Sequence, residues 1–433
     1  KNLSNLPTII LERFNELFSG KHNLTLNEDI HNTFTDKSNK ELIDISSNFR
    51  VLATCPPNSV TKLSEAVLSR FSVIWIDSYK PNEQEIVLKS YIKTNKLNFD
   101  ESSISILTKF AEDMNHYFHK YFSFPQIINS IEMCSRLNEI IDDHFKWKEN
   151  LGIILYRLGF GLLENRSQLS TEISSIFDIK GESQTSNNKA LIENKIISSM
   201  NIDPLKIESF KGYTVVKSEI TGAYVKLAEP KAISTNLAFT AMFSEMLDVL
   251  LLGLSINIPV IFEGMPGQGK QTAINYVAQI LGYNVINIII SQSTKVDDLL
   301  GKITIERDKS NNLRVFFIKT KLVNALESDK ESDKSIVVFH NINNASSAVA
   351  EVLSTIFDQH QKYLLLPDGS TISKIQLNIV GIFNPQNGIY NRDKFPSSLI
   401  YSSIYHVVKN PSNDDIKSVI KMAFKDTKFS QDH

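Results

Sequence analysis

A chain of 433 residues exceeds the roughly 250 to 300 residues that a single hydrophobic core usually organises, so two or more domains are expected. With 42% hydrophobic and 22% charged residues and a formal net charge of −2, it has the composition of an ordinary globular protein and no global basic field for nucleic acid or anionic lipid. Two cysteines, Cys55 and Cys134, are too few for a disulfide framework or a zinc cluster and point to a reducing compartment, cytosol or nucleus. The longest apolar run, Met246 to Phe262, is interrupted by Asp248, Gly253, Asn257 and Pro259 and falls short of the roughly 20 residues of a membrane helix. The chain opens at Lys1 without a Met or a signal-peptide pattern and closes just after a helix has begun, so it reads as a fragment.

In chain order, an amphipathic helix over Thr8 to Phe18 leads to a hairpin around Asn23 to Glu28. A strand over Asn48 to Thr54 is followed by Cys55-Pro-Pro57, a helix over Leu63 to Phe71, and a strand over Val73 to Ile76. Helical periodicity then runs through Asn82 to Lys93, Ile104 to Met114, Pro125 to Ile141 and Asn150 to Leu163, as in a helical lid. Residues 180–192 are polar and turn-rich, the signature of a flexible surface loop. A new α/β core begins near residue 240. Its later part repeats the order seen at the start: helix Ala345 to Phe357, hairpin Tyr363 to Gly369, strand Leu377 to Phe383, Asn384-Pro385, helix Pro396 to Tyr401 and strand Ile404 to Val408. The distance between the copies is far too long for a solenoid and suits tandem whole modules. The expected boundaries are therefore the C-terminal part of a first core in 1–80, a helical lid in 81–180, a linker in 181–235, a second core in 236–410, and the start of a second lid in 411–433.

Ile258 to Phe262 is a short apolar strand, Gly264 to Lys270 a glycine-rich turn, and Thr272 to Leu281 a helix. This is the context a phosphate-binding P-loop needs. Glycines let consecutive N–H groups converge at the positive end of a helix, and the lysine reaches the outer phosphates. The candidate nucleotide-binding residues are Gly264, Pro266, Gly267, Gln268, Gly269, Lys270, Gln271 and Thr272; the plainer reading is a glycine-rich surface turn. The pattern calls for Ser or Thr directly after the lysine to bind Mg²⁺, but Gln271 stands there. Thr272 follows about 100° further around the helix and should point away. After the strand Ser335 to Phe339, P-loop ATPases place an Asp that supports Mg²⁺, and AAA+ members add a Glu that polarises the attacking water. His340 and Asn341 occupy those positions. Imidazole is a poor Mg²⁺ partner and an amide cannot act as a base near neutral pH, so the pair either ends a buried strand or forms a degenerate site. Asn384 is placed to orient a water or a γ-phosphate, or else caps the turn at Pro385. ATP or ADP binding without fast turnover follows, with Mg²⁺ dependence weakened and no metal ligand firmly assigned.

These residues resemble the dynein-related branch of AAA+ proteins, and within it the midasin type, in which six modules lie on one chain. Asp297-Asp-Leu-Leu-Gly301 is similar to that family's D-L-L-G, and Leu322-Val-Asn-Ala325 to its G-x-L-x-x-A helix. Ile342-Asn343-Asn-Ala345 resembles E-I-N-L-A, and Leu11 to Leu17 with Leu24 to Glu28 resembles L-E-R-L-N-x-L and L-T-x-N-E. The resemblance implies an α/β P-loop core with a parallel sheet flanked by helices, plus the helical lid of a preceding module. It implies that Arg70 is an arginine finger for the preceding module, where the bland alternative is a surface arginine at a helix end. Tyr401-Ser402-Ser403 stands where the second copy would carry its finger, and Pro56 stands in the first copy where the second has Asn384. It further implies an ATP-hydrolysing parent acting on pre-60S ribosomal particles in the nucleus, with neighbouring AAA+ modules of the same chain as partners; the composition and the apolar run, for their part, give no membrane segment and no direct nucleic-acid signal. Two other classes stay open: a mysterin-like ubiquitin ligase, marked by a cysteine-rich zinc domain elsewhere in its parent, and a scaffold module that no longer binds nucleotide.

Overall fold

The computed structural model describes residues 11, 14–19, 23–26, 41–55, 63–77, 79–118, 124–140, 150–155, 198, 202–210, 212–227, 237–307, 313–327, 334–374, 378–385, 399–400 and 402–424. The chain divides into two units, residues 1–79 and 80–433.

In the first unit, helix α1 (Asn15–Phe18) precedes strands β1 (Asn23–Leu26) and β2 (Glu41–Asp44), which pair antiparallel, and helix α2 (Glu65–Leu68) follows. Leu11, Leu63 and Val67 form its small core, with Phe18, Cys55, Leu68 and Phe71 against it. The strands expected over Asn48 to Thr54 and Val73 to Ile76 are not strands here: their described residues run without ladder partners. Leu52, Ile74 and Ile76 are 96%, 81% and 90% exposed. A strand exists only through its neighbours. In the second copy the corresponding segments both pair with one strand lying between them, and no described strand of residues 1–79 plays that part.

The second unit opens with helices α3 (Pro81–Asn95), α4 (Ile104–Phe118) and α5 (Phe124–Ile140) and a helical segment over 150–155. Pro81 starts α3 where its missing N–H costs nothing. A Glu83 side chain accepts from Lys80 N, and Lys96 in left-handed conformation ends the helix. The apolar spacing buries Leu88, Ile92, Leu107, Phe110, Ile127, Ile131 and Leu137 in the same core as the α/β layer that follows.

Residues 181–235 are not linker throughout. Strands β3 (Leu205–Phe210), β4 (Tyr213–Ser218) and β5 (Tyr224–Lys226) form a three-stranded antiparallel sheet, whereas the polar tract 180–192 lies outside the described residues. The short β-rich run Tyr213-Thr-Val-Val-Lys-Ser is the signal that the composition of the neighbouring tract obscured. This sheet is fixed to helix α6 (Ala241–Ser255) by Asp248, which is fully buried and accepts from Ser218 Oγ and Thr221 Oγ1, both at 2.7 Å. Replacing Asp248 by Ala leaves two buried hydroxyls without that acceptor. The expected cost is about 2 kcal/mol, read as a loss of denaturation midpoint at unchanged slope.

Helix α6 is buried on every side from Phe243 to Gly253, which explains its largely apolar composition, broken by Ser244, Glu245 and Asp248, without a membrane. Among the described residues no helix is long and apolar enough to cross one. Then come strand β6 (Val260–Glu263), helix α7 (Lys270–Leu281), strand β7 (Asn284–Ile289) and helix α8 (Val296–Leu300). A hairpin of β8 (Lys302–Arg307) and β9 (Leu313–Ile318) leads to helix α9 (Lys321–Glu327), strand β10 (Ser335–His340) and helix α10 (Ser347–Phe357). The hairpin β11 (Tyr363–Leu365) and β12 (Thr371–Ser373), strands β13 (Asn378–Phe383) and β14 (Ile404–Val407), and helix α11 (Asn413–Ala423) complete the unit.

Five strands form one sheet in the order β14-β6-β13-β10-β7, and each of its pairings is parallel. Parallel strands need crossover connections, which place helices on both faces. Two buried clusters result, one shared with α6, α7 and the preceding helices, the other with α8, α9 and α10. Strand β13 lies between β6 and β10, so the ends of these three strands meet at one edge of the sheet. In parallel α/β sheets ligands bind outside the carboxyl ends of the strands.

Candidate functional site

At the carboxyl end of β6 the chain turns into helix α7 through Gly264 to Gly269. Gly267 and Gly269 adopt φ of 84° and 78°, a left-handed conformation that glycine takes without penalty. Gly264 is required by crowding instead. A Cβ there would lie 2.3 Å from Gln268 Oε1 and 2.9 Å from Val408 Cβ. Gly264 N donates to Phe383 O at 3.2 Å, which ties the start of the loop to β13. The loop therefore curls back over its own strand, with the amino end of α7 facing inward and Met265, Pro266 and Gly267 exposed.

Lys270 is turned into this loop. Its Nζ donates to Gly264 O at 2.5 Å, Met265 O at 2.8 Å and Asn384 Oδ1 at 3.4 Å, and the residue is 7% exposed. Burial pulls its pKa down to about 8, with Glu263 acting in the opposite sense. Gln268 is also buried. Its Nε2 donates to Lys409 O at 3.1 Å and Asn410 Oδ1 at 3.2 Å, binding the loop to the segment after β14, while its Oε1 is a buried acceptor without a partner.

The predicted residues divide clearly. Gly264, Gln268, Lys270 and Asn384 come together, with Asn384 at the tip of β13; its carbonyl accepts from Asn343 Nδ2 at 3.3 Å. Thr272 is exposed. Gln271 Nε2 donates to Asn275 Oδ1 at 2.9 Å and Asn287 Oδ1 at 3.3 Å, leaving Gln271 Oε1 buried and unpartnered. His340 closes β10 with Nε2 2.9 Å from the same Asn287 Oδ1, and burial lowers its pKa. Asn341 takes a left-handed conformation, φ 55°, and its N–H donates to Ile382 O at 2.7 Å. Arg70 belongs to the other unit. It is exposed, and its guanidinium donates to Ala66 O in the helix it ends. In the second copy Ser403 is buried and donates to Leu399 O at 2.6 Å.

Asn287 and the Lys409–Asn410 segment were not foreseen. An isolated Asn inside the strand Asn284-Val-Ile-Asn-Ile-Ile is the sequence signal for the first. Nothing local announces the second, since its role is set by the placement of β14 beside β6.

A P-loop at the carboxyl end of β6, with a strand inserted between it and the strand ending in His340, defines an α/β P-loop core of the AAA+ class. Residues 259–400 match the AAA domain of the dynein-related subfamily. The midasin of Giardia intestinalis is 29% identical over 170 residues, covering 38% of this chain and 3% of that protein. The midasin of Dictyostelium discoideum is 21% identical over 379 residues, covering 83% of this chain and 6% of that protein. A crystal structure of a proposed ATPase from Cytophaga hutchinsonii aligns at TM-score 0.30 and 12% identity, covering 43% of this chain and 51% of that one. The fold assignment rests on sheet order and loop geometry, not on that last likeness. Residues 259–400 thus form an AAA+ core of the dynein-related type, and the chain is similar to midasins, of whose length it spans only a few per cent.

Proposed function

We propose that residues 236–410 are a nucleotide-holding module of a giant ring-forming mechanoenzyme, with residues 1–80 and 81–180 belonging to the module before it. The observation that carries this is a glycine loop, Gly264 to Gly269, closed over the buried Lys270, beside Gln271, His340 and Asn341, none of which is an acid. Backbone N–H groups at the start of α7 would hold the phosphates and Lys270 would turn from the carbonyls of Gly264 and Met265 to an outer phosphate oxygen. Asn384, already within reach of Lys270 Nζ, would orient that phosphate. No base stands where hydrolysis needs one, because Asn341 is an amide and His340 is committed to Asn287. Hydrolysis at this site is slow or absent.

The parent protein, by its likeness to midasins, would hydrolyse ATP at other modules and couple it to remodelling of pre-60S ribosomal particles in the nucleus. Arg70 would reach nucleotide held by the preceding module. The local site then acts as a nucleotide-dependent strut between neighbouring modules. Nothing in the described residues favours the ubiquitin-ligase alternative.

The test is equilibrium binding of ADP and ATP to the 433-residue chain, together with phosphate release under saturating ATP. Micromolar binding with turnover below about one per minute is expected, far under the usual enzymatic range; release at ordinary rates would refute the assignment of Gln271, His340 and Asn341 as non-catalytic. Affinity also carries a pH signature. Only the charged lysine attracts phosphate, and Lys270 loses its proton near pH 8. ADP affinity should therefore fall about tenfold from pH 7 to pH 9, the direction set by a free-state pKa that binding must raise.

A further inference from the structure

We propose that this site holds a nucleoside diphosphate without a divalent cation, with the Gln271–Asn287–His340 cluster standing where the metal would otherwise bind. The inference rests on reading residues 264–272 as a nucleotide site. In that setting Mg²⁺ would be gripped between the residue after the P-loop lysine and the residue ending β10. Here those two residues, Gln271 and His340, are joined through Asn287, whose Oδ1 accepts from Gln271 Nε2 at 3.3 Å and lies 2.9 Å from His340 Nε2. A second bond, from Gln271 Nε2 to Asn275 Oδ1 at 2.9 Å, fixes the orientation of the Gln271 amide along α7.

The donor set does not suit the metal. Mg²⁺ requires near-octahedral oxygen ligation, normally with one or two carboxylates and phosphate oxygens. The cluster offers one neutral oxygen without a partner, Gln271 Oε1. Among the described residues no group of three His, Cys, Asp or Glu side chains could hold a metal ion. His340, its pKa lowered by burial, adds no positive charge in place of the missing cation near neutral pH.

Charge then selects the nucleotide. Lys270 is the cation that the loop directs inward, and with the helix amino terminus it can match a diphosphate. A triphosphate brings one more phosphoryl group toward the neutral side chains of Gln271, Asn287 and His340, where no cation offsets its added charge. A diphosphate is favoured, and the cluster's side chains are already engaged, Gln271 Nε2 with Asn275 and Asn287 and His340 Nε2 with Asn287.

The experiment is titration of the 433-residue chain with a fluorescent ADP and with a fluorescent non-hydrolysable ATP analogue, each in excess Mg²⁺ and in EDTA. Chelation is expected to change the ADP dissociation constant by less than about threefold, and the triphosphate should bind at least about tenfold more weakly than ADP. ADP binding weakened tenfold or more by EDTA would overturn the proposal and make Gln271 Oε1 a metal ligand; a triphosphate bound as tightly as ADP would also overturn it. The double variant Gln271→Thr with His340→Asp restores a hydroxyl and a carboxylate. It should acquire a Mg²⁺ dependence of about tenfold, and its failure to do so would remove the cluster as the determinant. Lys270→Ala separates the two levels. Mg²⁺-dependent binding that this variant abolishes refutes only the metal-free diphosphate site, whereas binding that survives it, or no wild-type binding, refutes the nucleotide site itself.

Discussion

Replacing Lys270 by alanine is expected to weaken ADP binding about a hundredfold, the equivalent of a charge-assisted hydrogen bond of about 3 kcal/mol. The lysine is buried and held by neutral acceptors, the carbonyls of Gly264 and Met265 and the Asn384 amide. No carboxylate is within bonding distance among these contacts, and burial already weakens its hold on its proton. A phosphate oxygen would give the ammonium an anionic acceptor that these neutral groups do not supply. In the variant the same carbonyls would face an incoming anion without the ammonium between them, so repulsion adds to the lost attraction. Arginine should not rescue, because its planar fork cannot occupy the narrow space beneath Gly264. Thermal melting of both variants checks that the fold survives. A dissociation constant within threefold of wild type for Lys270→Ala would mean that residues 264–270 are only a glycine-rich turn.

The second large effect is expected at Gly264. An alanine there places its Cβ 2.3 Å from Gln268 Oε1, 2.9 Å from Val408 Cβ and 3.4 Å from Lys270 Nζ. Gln268 cannot swing aside freely, because it is buried and its Nε2 is bonded to Lys409 O and Asn410 Oδ1. Val408 continues the backbone of β14, since its N–H donates to Glu263 O at 2.7 Å. The loop must therefore open at its first residue. A stability loss of about 2 kcal/mol and a fall in ADP affinity of about tenfold are expected. The companion Gly264→Ala with Gln268→Ala should recover much of the stability, since the nearest obstruction is then gone. If Gly264→Ala alone melts and binds like wild type, the crowding seen here is not part of the folded loop in solution.

Much of this was legible because it is local. The strand-loop-helix order around Gly264 to Lys270 is written in consecutive residues, and the structure places β6, the loop and α7 where that order requires. The alternation of short apolar strands with helices likewise carries the α/β class. The departures at Gln271, His340 and Asn341 needed only the chain order. Less legible was the span 205–226, where short antiparallel strands beside a polar tract passed for linker. Their burial depends on Asp248, a residue about thirty positions away on α6 whose role no periodicity reveals.

The sequence by itself determined the class of the fold, the location of the glycine loop before α7 and the absence of acids at positions 271, 340 and 341, since each depends on residue type at fixed spacing along one chain segment. Tertiary structure alone decided that Asn384 meets Lys270, that Gln268 is locked by Lys409 and Asn410, and that Asn287 joins Gln271 to His340. Those contacts exist because β13 is inserted between β6 and β10 and because β14 and β7 take the outer places in the sheet. Strand order is set by how apolar faces are covered across the whole module, so the neighbours of a polar side chain at a strand end cannot be read from the strand that bears it.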